Sequence, residues 1–188
     1  DESKSESGTL GFDLASCVSG PRSLRGKVAA ARGDRRLYLS KTFDVPNRKI
    51  DFEFDDRFGP NGSDFDETDP FIITTYPPPP NRTIQNVGMV NYKSGPGLEH
   101  YLANANGAPK LDDVPIAAAA NTWLHVKIDV DFNTQPGTMT FDISGAAHTY
   151  NLEGTAFDSA ELRIGAAYSN NAKIDWEFRF DNVVVDIP

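Results

Sequence analysis

The sequence predicts an all-β fold, a sandwich of two antiparallel sheets of the jelly-roll kind. Three observations carry that prediction. Short runs that alternate apolar and polar residues recur along most of the 188 residues, and no segment sustains a 3.6-residue period. Gly, Pro, Asn and Asp separate those runs, as turns between strands require. The last run slips by one residue in its alternation, as a strand carrying a β-bulge would.

Taken in order, the polar stretch from Asp1 to Gly8 reads as a linker, and residues 9–188 as one domain. Leu10, Phe12 and Leu14 alternate with Gly11, Asp13 and Ala15, giving a first strand expected to run to about Val18. A basic segment follows, with Arg22, Arg25, Lys27, Arg32, Arg35 and Arg36. Val28 to Ala31 fits either a short strand or one helical turn. Arg32-Gly33-Asp34 matches the short integrin-recognition tripeptide, but Gly33-Asp34 reads first as a turn between strands. Leu37, Leu39 and Phe43, then Ile50, Phe52 and Phe54, mark two further strands around Val45-Pro46-Asn47. The other face of the second is a charged row of Lys49, Asp51, Glu53 and Asp55.

From Asp56 to Asp69 the chain reads as an acidic loop. Phe71 to Tyr76 is a short strand, and the four prolines that follow impose a polyproline-like excursion. Val87 to Tyr92 is another strand, and Tyr101-Leu102 a short one within a Gly-, Asn- and Pro-rich stretch. Ala117 to Ala120 admits at most a turn of helix.

The clearest pair of strands lies between Thr122 and Ser144. Leu124, Val126, Ile128, Val130 and Phe132 form one face, against Trp123, His125, Lys127, Asp129 and Asp131. Beyond Asn133 to Gly137 the alternation resumes with Met139, Phe141 and Ile143. This is a hairpin with one face on a core. Ala146 to Leu152 and Leu162 to Tyr168 supply two more strands. In the last run Ile174, Trp176, Phe178 and Phe180 are apolar at even positions, and Val183, Val185 and Ile187 at odd ones. A bulge at Asp181-Asn182 is therefore expected to return the apolar face to the core.

Composition narrows the function. With 18 basic against 27 acidic residues the chain carries a formal charge of −9, which disfavours nucleic acid or an anionic membrane surface as partner. No apolar run is long enough for a transmembrane helix. Cys17 is the one cysteine, so no internal disulfide or thiolate cluster forms. There is no phosphate loop, nucleophile elbow or dinucleotide fingerprint.

The carboxyl-terminal half resembles the concanavalin A-like lectin/glucanase superfamily. The matching pieces are Asn121 to Asp131, Gly137 to Gly145, Leu162 to Gly165 and Phe180 to Ile187, with weaker agreement from Leu10 to Phe54. The resemblance covers roughly residues 120–188 and reaches fold-level patterns, not active-site motifs. It implies a jelly roll of two antiparallel sheets, often exported, often binding or cutting glycans, and often carrying a structural calcium ion. On that resemblance the amino-terminal stretch looks like the linker after a removed signal sequence or a lipid-modified cysteine upstream of residue 1. An exported, bacterial-type protein is then expected.

Retaining glucanases of that superfamily use Glu-x-Asp-x-Glu on one strand face, because the chemistry pairs a carboxylate nucleophile with a carboxylic acid. Here Asp51 matches the middle Asp and Glu53 the acid/base, but Lys49 stands where the nucleophile belongs. No such hydrolase activity is expected, and the row reads as a solvated strand face. For calcium, the candidates are Asp64 and Asp66 on the acidic loop and Asp181 at the bulge, where oxygen ligands suit a hard cation. The three histidines, His100, His125 and His148, lie on separate segments without metal-ligand spacing. Tyr92, His100 and Tyr101, with Lys93, fit either a sugar platform or the base and cation of a polysaccharide lyase; Trp123 and His125 are available to a platform as well. The expectation is a non-catalytic domain that binds a carbohydrate or cell-surface glycan. A glycan-active lyase or hydrolase is the alternative, and an adhesion module without a small-molecule site is the third.

Overall fold

The computed structural model describes residues 8–14, 16–44, 49–59, 67–76, 84–92, 95–103, 110–117, 119, 121–152 and 158–187. Among these there is no helix. The strands are β1 (Gly8–Asp13), β2 (Ser23–Val28), β3 (Ala31–Asp44), β4 (Lys49–Phe58), β5 (Glu67–Tyr76), β6 (Ile84–Tyr92), β7 (Gly95–Ala103), β8 (Lys110–Pro115), β9 (Leu124–Asp131), β10 (Thr138–Ile143), β11 (Ala146–Asn151), β12 (Ser159–Ala172) and β13 (Trp176–Asp186). They form a seven-stranded sheet in the order β1-β2-β13-β4-β9-β10-β11 and a six-stranded sheet in the order β3-β12-β5-β6-β7-β8. Neighbours run antiparallel throughout, as in β4 with β9 and β5 with β12.

The hairpin of β9 and β10 forms as its alternation requires. Leu124, Val126, Ile128 and Val130 are buried, and they meet Met139, Phe141 and Ile143 in register, with Val130 opposite Met139 and Val126 opposite Ile143. Aromatic rings join the sheets. Phe54 of β4 meets Phe71 of β5 edge-on at 5.2 Å, and Phe71 in turn stacks on Phe141 of β10 at 6.3 Å.

The bulge in β13 lies where the alternation slips. Asp181 pairs with Asp55 and Val184 with Glu53, so two residues of β13 face one of β4. Asn182 takes φ 53°, a left-handed conformation that asparagine tolerates better than most residues. The bulge returns only Val185 to the core, however; Val183 and Ile187 stay exposed. The reason is the end of a neighbour: pairing with β2 stops at Phe180, so β13 runs on past its partner.

Other expectations change. The first strand stops at Asp13 rather than near Val18, and Phe12, Leu14 and Val18 are exposed. Gly33-Asp34 is not a turn between strands: it lies within β3, at an irregularity opposite Asn171. There Gly33 takes φ 77° and donates its N–H to Asn171 Oδ1 at 2.9 Å. The acidic loop starts later than Asp56, because β4 continues to Phe58, and it ends where β5 begins at Glu67. Around Tyr101 stands a full nine-residue strand, β7, paired with β8, which the sequence did not suggest. Its glycines and prolines masked the period. The four prolines Pro77 to Pro80 lie outside the described residues.

Candidate functional site

A strand in a two-sheet sandwich usually buries one face and wets the other. β5 does not: eight consecutive residues, from Thr68 to Thr75, are buried. Phe71 and Ile73 face the core, whereas Ile72 and Thr74 face outward, away from the seven-stranded sheet, and are still only 6% and 2% exposed. Asn86 of β6 and Tyr38 of β3, on the same outer face, are 9% and 8% exposed. The outer face of the six-stranded sheet is therefore sheltered at these positions, and several of its side chains are polar.

Register assembles this face from strands far apart in sequence. Ser40, Arg163 and Ile72 form one cross-strand row, and Thr42, Glu161, Thr74 and Asn86 the next. Glu161 and Arg163 share a face because they are two apart on β12. Arg163 grips Glu161 with both sides of its fork, Nε donating to Oε1 at 3.0 Å and Nη2 to Oε2 at 2.8 Å. Tyr76 Oη also donates to Glu161 Oε2, at 2.8 Å. The guanidinium lies over the Tyr38 ring, 5.5 Å from its centroid. Beside this group Thr74 Oγ1 donates to Asn86 Oδ1 at 2.7 Å, which leaves the Asn86 amide NH₂ as a donor.

The electrostatics follow from that geometry. Burial alone would raise the Glu161 carboxyl, but hydrogen bonds from Arg163 and Tyr76 outweigh it and hold the group below its ordinary range. The hydrogen bond to Glu161 raises Arg163 further against the burial that opposes it. Burial first, and the bond to Glu161 second, push the Tyr76 phenol up to about 12. The site therefore presents a fixed carboxylate, a fixed guanidinium and a protonated phenol.

The outer face of the seven-stranded sheet holds a cleft of about 440 Å³ with Asp51, Glu53, Lys127, Asp129, Asp142 and Asp186 among its walls. Most of its charges pair with one another. Lys49 bridges Asp51 and Asp129, Lys127 Nζ lies 3.5 Å from Glu53, and His125 contacts Glu53 and Asp55 at 3.4 and 2.9 Å. Burial and then the neighbouring Asp129 charge raise the Asp51 carboxyl. Half-exposed pairs of this kind contribute about 0–1 kcal/mol each and hold no fixed geometry. We therefore take the sheltered, hydrogen-bonded group on the six-stranded sheet as the candidate site.

The residues singled out from the sequence do not come together. Trp123 and His125 belong to the seven-stranded side, at and just before the start of β9. Tyr92, His100 and Tyr101 lie on β6 and β7 of the six-stranded sheet, with side chains outside what is described. Register puts the Tyr101 backbone opposite Asn86, in line with the Glu161 row, and His100 opposite Val87. Asp64 and Asp66 lie outside the described residues. Asp181 is nearly buried, and its carboxylate accepts from the backbone N–H groups of Val18 (2.8 Å), Ser19 (3.0 Å) and Asn182 (2.9 Å). Oxygens so occupied by donors do not suit a cation, so the arrangement around Asp181 does not fit calcium. Among the described residues no group of three or more His, Cys, Asp or Glu converges as metal ligands would.

Tyr38, Tyr76, Glu161 and Arg163 were not anticipated. Their signal was present in the polar positions of Glu161-Leu162-Arg163-Ile164, read only for its apolar partners. In Phe71 to Tyr76, burial of both faces hid the alternation.

No family model matches this chain, and no curated protein matches it. Solved structures do. The endo-β-1,4-glucuronan lyase of the fungus Trichoderma reesei aligns over 100% of this chain and 91% of its own, with TM-score 0.69 and 13% identity. A family 7 alginate lyase in complex with substrate aligns over 94% of this chain and 81% of its own, with TM-score 0.64 and 8% identity. A carbohydrate-binding module from Bacillus subtilis covers 98% of both chains, with TM-score 0.51 and 10% identity. At such identities the likeness concerns the backbone and not the side chains of any site. The chain shares with these structures a jelly-roll fold of two antiparallel sheets.

Proposed function

We propose that the protein binds a polysaccharide on the outer face of its six-stranded sheet, without cleaving it. One observation carries this reading: Tyr76, Glu161 and Arg163 form a rigid, sheltered group of adjacent donors and acceptors on the outer face of the six-stranded sheet. A sugar offers neighbouring hydroxyls, each both donor and acceptor, and an apolar ring face. A fixed carboxylate beside a fixed guanidinium matches the hydroxyls, and the half-buried Tyr76 ring can lie against the sugar ring. Solved structures of like backbone include proteins named for binding or cutting polysaccharides. A protein with such a ligand works where polymers too large to cross a membrane are found, which supports export.

A second reading, cleavage of a uronate polymer by β-elimination, is favoured by the whole-length likeness to two lyases. It needs a base that takes a proton beside the sugar carboxylate and an acid that protonates the leaving oxygen. Tyr76 suits only the acid role, since its proton is firmly held.

Binding to a panel of neutral and uronate polysaccharides, with calcium and with a chelator, tests both readings. Binding that falls more than tenfold in Tyr76→Ala and Arg163→Ala, both still folded by circular dichroism, is the expected result. Unsaturated uronate products, seen by their ultraviolet absorbance, would establish the lyase instead. Loss of binding on chelation, restored by calcium, would show that binding needs the ion, and Asp64→Asn and Asp66→Asn would then test those two residues as its ligands.

A further inference from the structure

The ion pair at the centre of the site bears on which polysaccharide it takes. Resting on the binding reading above, we propose that Glu161 makes this site select uncharged polysaccharides over uronate-bearing ones, by occupying on Arg163 the place a sugar carboxylate would take.

A guanidinium fork is the natural receptor for a carboxylate, because two parallel N–H groups match two carboxylate oxygens. Here the fork is already filled. Nε and Nη2 of Arg163 both point to Glu161, and the third group able to meet a carboxylate there, the Tyr76 hydroxyl, donates to the same residue. The Tyr38 ring under the guanidinium fixes its plane, so Arg163 does not readily swing to a second anion. A uronate arriving at this place would set its carboxylate against that of Glu161, which is only 12% exposed and poorly screened by water. Like charges brought together in a sheltered site are a common means of rejecting the wrong partner.

The rest of the described face is in keeping with a neutral ligand. Ser40, Thr42, Ile72, Thr74 and Asn86 carry no charge, and the exposed Asp44, in line with Tyr76, adds a negative one. The net charge of −9 adds a long-range repulsion towards any polyuronate. To a neutral sugar the pair remains useful, because it sets the N–H groups of Arg163 beside the carboxylate oxygens of Glu161, a donor and an acceptor for neighbouring hydroxyls.

Calorimetry with an uncharged β-glucan oligosaccharide and a size-matched glucuronate oligosaccharide tests the inference on the unaltered protein. The expected result is binding of the neutral oligosaccharide and at least about tenfold weaker binding of the uronate. Glu161→Gln keeps the shape and removes the charge, and is expected to tighten uronate binding about tenfold or more and so erase the preference. Wild-type protein that binds the uronate as well as or better than the neutral sugar overturns the inference and leaves the binding function standing. An unchanged preference in folded Glu161→Gln overturns it too. Wild-type protein that binds no glycan overturns both readings together.

Discussion

Replacing Gly26 by alanine is expected to destabilise the protein by about 3 kcal/mol, against the usual benefit of removing a strand glycine. Gly26 lies in β2 opposite Phe178 of β13. An added Cβ would stand 2.0 Å from Phe178 Cζ, 2.4 Å from Cε1 and 2.6 Å from Cε2. The ring cannot easily move aside. Phe178 is fully buried, with Trp176 at 6.1 Å and Phe180 at 5.9 Å, and Gly165 of the other sheet is so near that a Cβ there would lie 2.9 Å from the same Cζ. Overpacking a tight core costs about 1–3 kcal/mol, and contact with three ring atoms belongs at the upper end. Gly26 is not among the glycines of positive φ, so the ordinary gain of about 0.4–1 kcal/mol from a stiffer unfolded chain acts the other way but is smaller.

The assay is a double-mutant cycle in urea. Phe178→Leu alone removes ring contacts and is expected to cost about 1–3 kcal/mol. In that background Gly26→Ala should cost almost nothing, giving a coupling near 3 kcal/mol between the two positions. On heating, Gly26→Ala alone corresponds to a fall in Tm of roughly 6–12 °C for a chain of this size. Agreement of calorimetric and van't Hoff enthalpies licenses the comparison. A Gly26→Ala protein within about 0.5 kcal/mol of wild type, or the same penalty in both backgrounds, would refute the packing argument.

Two further predictions concern protons. Asp56 is fully buried, in register between Phe180 and Leu124, with no well-aligned partner for its carboxyl oxygens among the described residues, and burial pushes it well above the ordinary carboxylate range against a weaker pull from the nearby Arg57 backbone amide. An acid held protonated in the fold loses stability as pH rises above its unfolded value near 4, so Asp56→Asn should be more stable at neutral pH and show a flatter stability–pH curve; equal slopes for the two proteins would contradict this. Tyr76 and Tyr168 are both pushed up to about 12, by burial first and then by hydrogen bonds to Glu161 and Asp34. Their phenols keep their protons in the fold, so this contribution is complete below pH 10 and is lost between about 10 and 12; ultraviolet titration should show late phenolate formation that Tyr76→Phe reduces, and a single transition near 10 would be the adverse outcome.

Most of the scaffold was legible because the physics that made it is local. A strand half-buried on one core must alternate, so Leu124 to Phe132 and Met139 to Ile143 announced themselves, and a slip at Asp181-Asn182 had to become a bulge or expose a face. Where a second constraint acts, the period fades. β7 is read poorly because Gly95, Pro96 and Gly97 break it, and β5 because its outer face is sheltered as well as its core face. The site was not legible, for a different reason. Its residues stand out only when β3, β12 and β5 are neighbours, and that order is not written in any one of them. Aromatic and histidine residues near one another in sequence, such as Trp123 with His125 and His100 with Tyr101, were divided between opposite sides of the sandwich instead.

The same sheet order explains why Arg163 is held as it is. Tyr38 on β3 lies opposite Gly165 on β12, and Gly165 has φ 123°, where a side chain would be strained and would meet Tyr38 Cα at 2.9 Å. The absent side chain lets β3 approach closely enough for the Tyr38 ring to support Arg163, two residues along from Gly165. The other side of that vacancy is filled from the core, since Phe178 Cζ lies against it. One glycine thus lets an aromatic residue pack closely on each side of the sheet, Phe178 within the core and Tyr38 beneath the guanidinium. The rows that carry Arg163 and Glu161 are thus fixed by the same hydrogen-bonded strands that close the core.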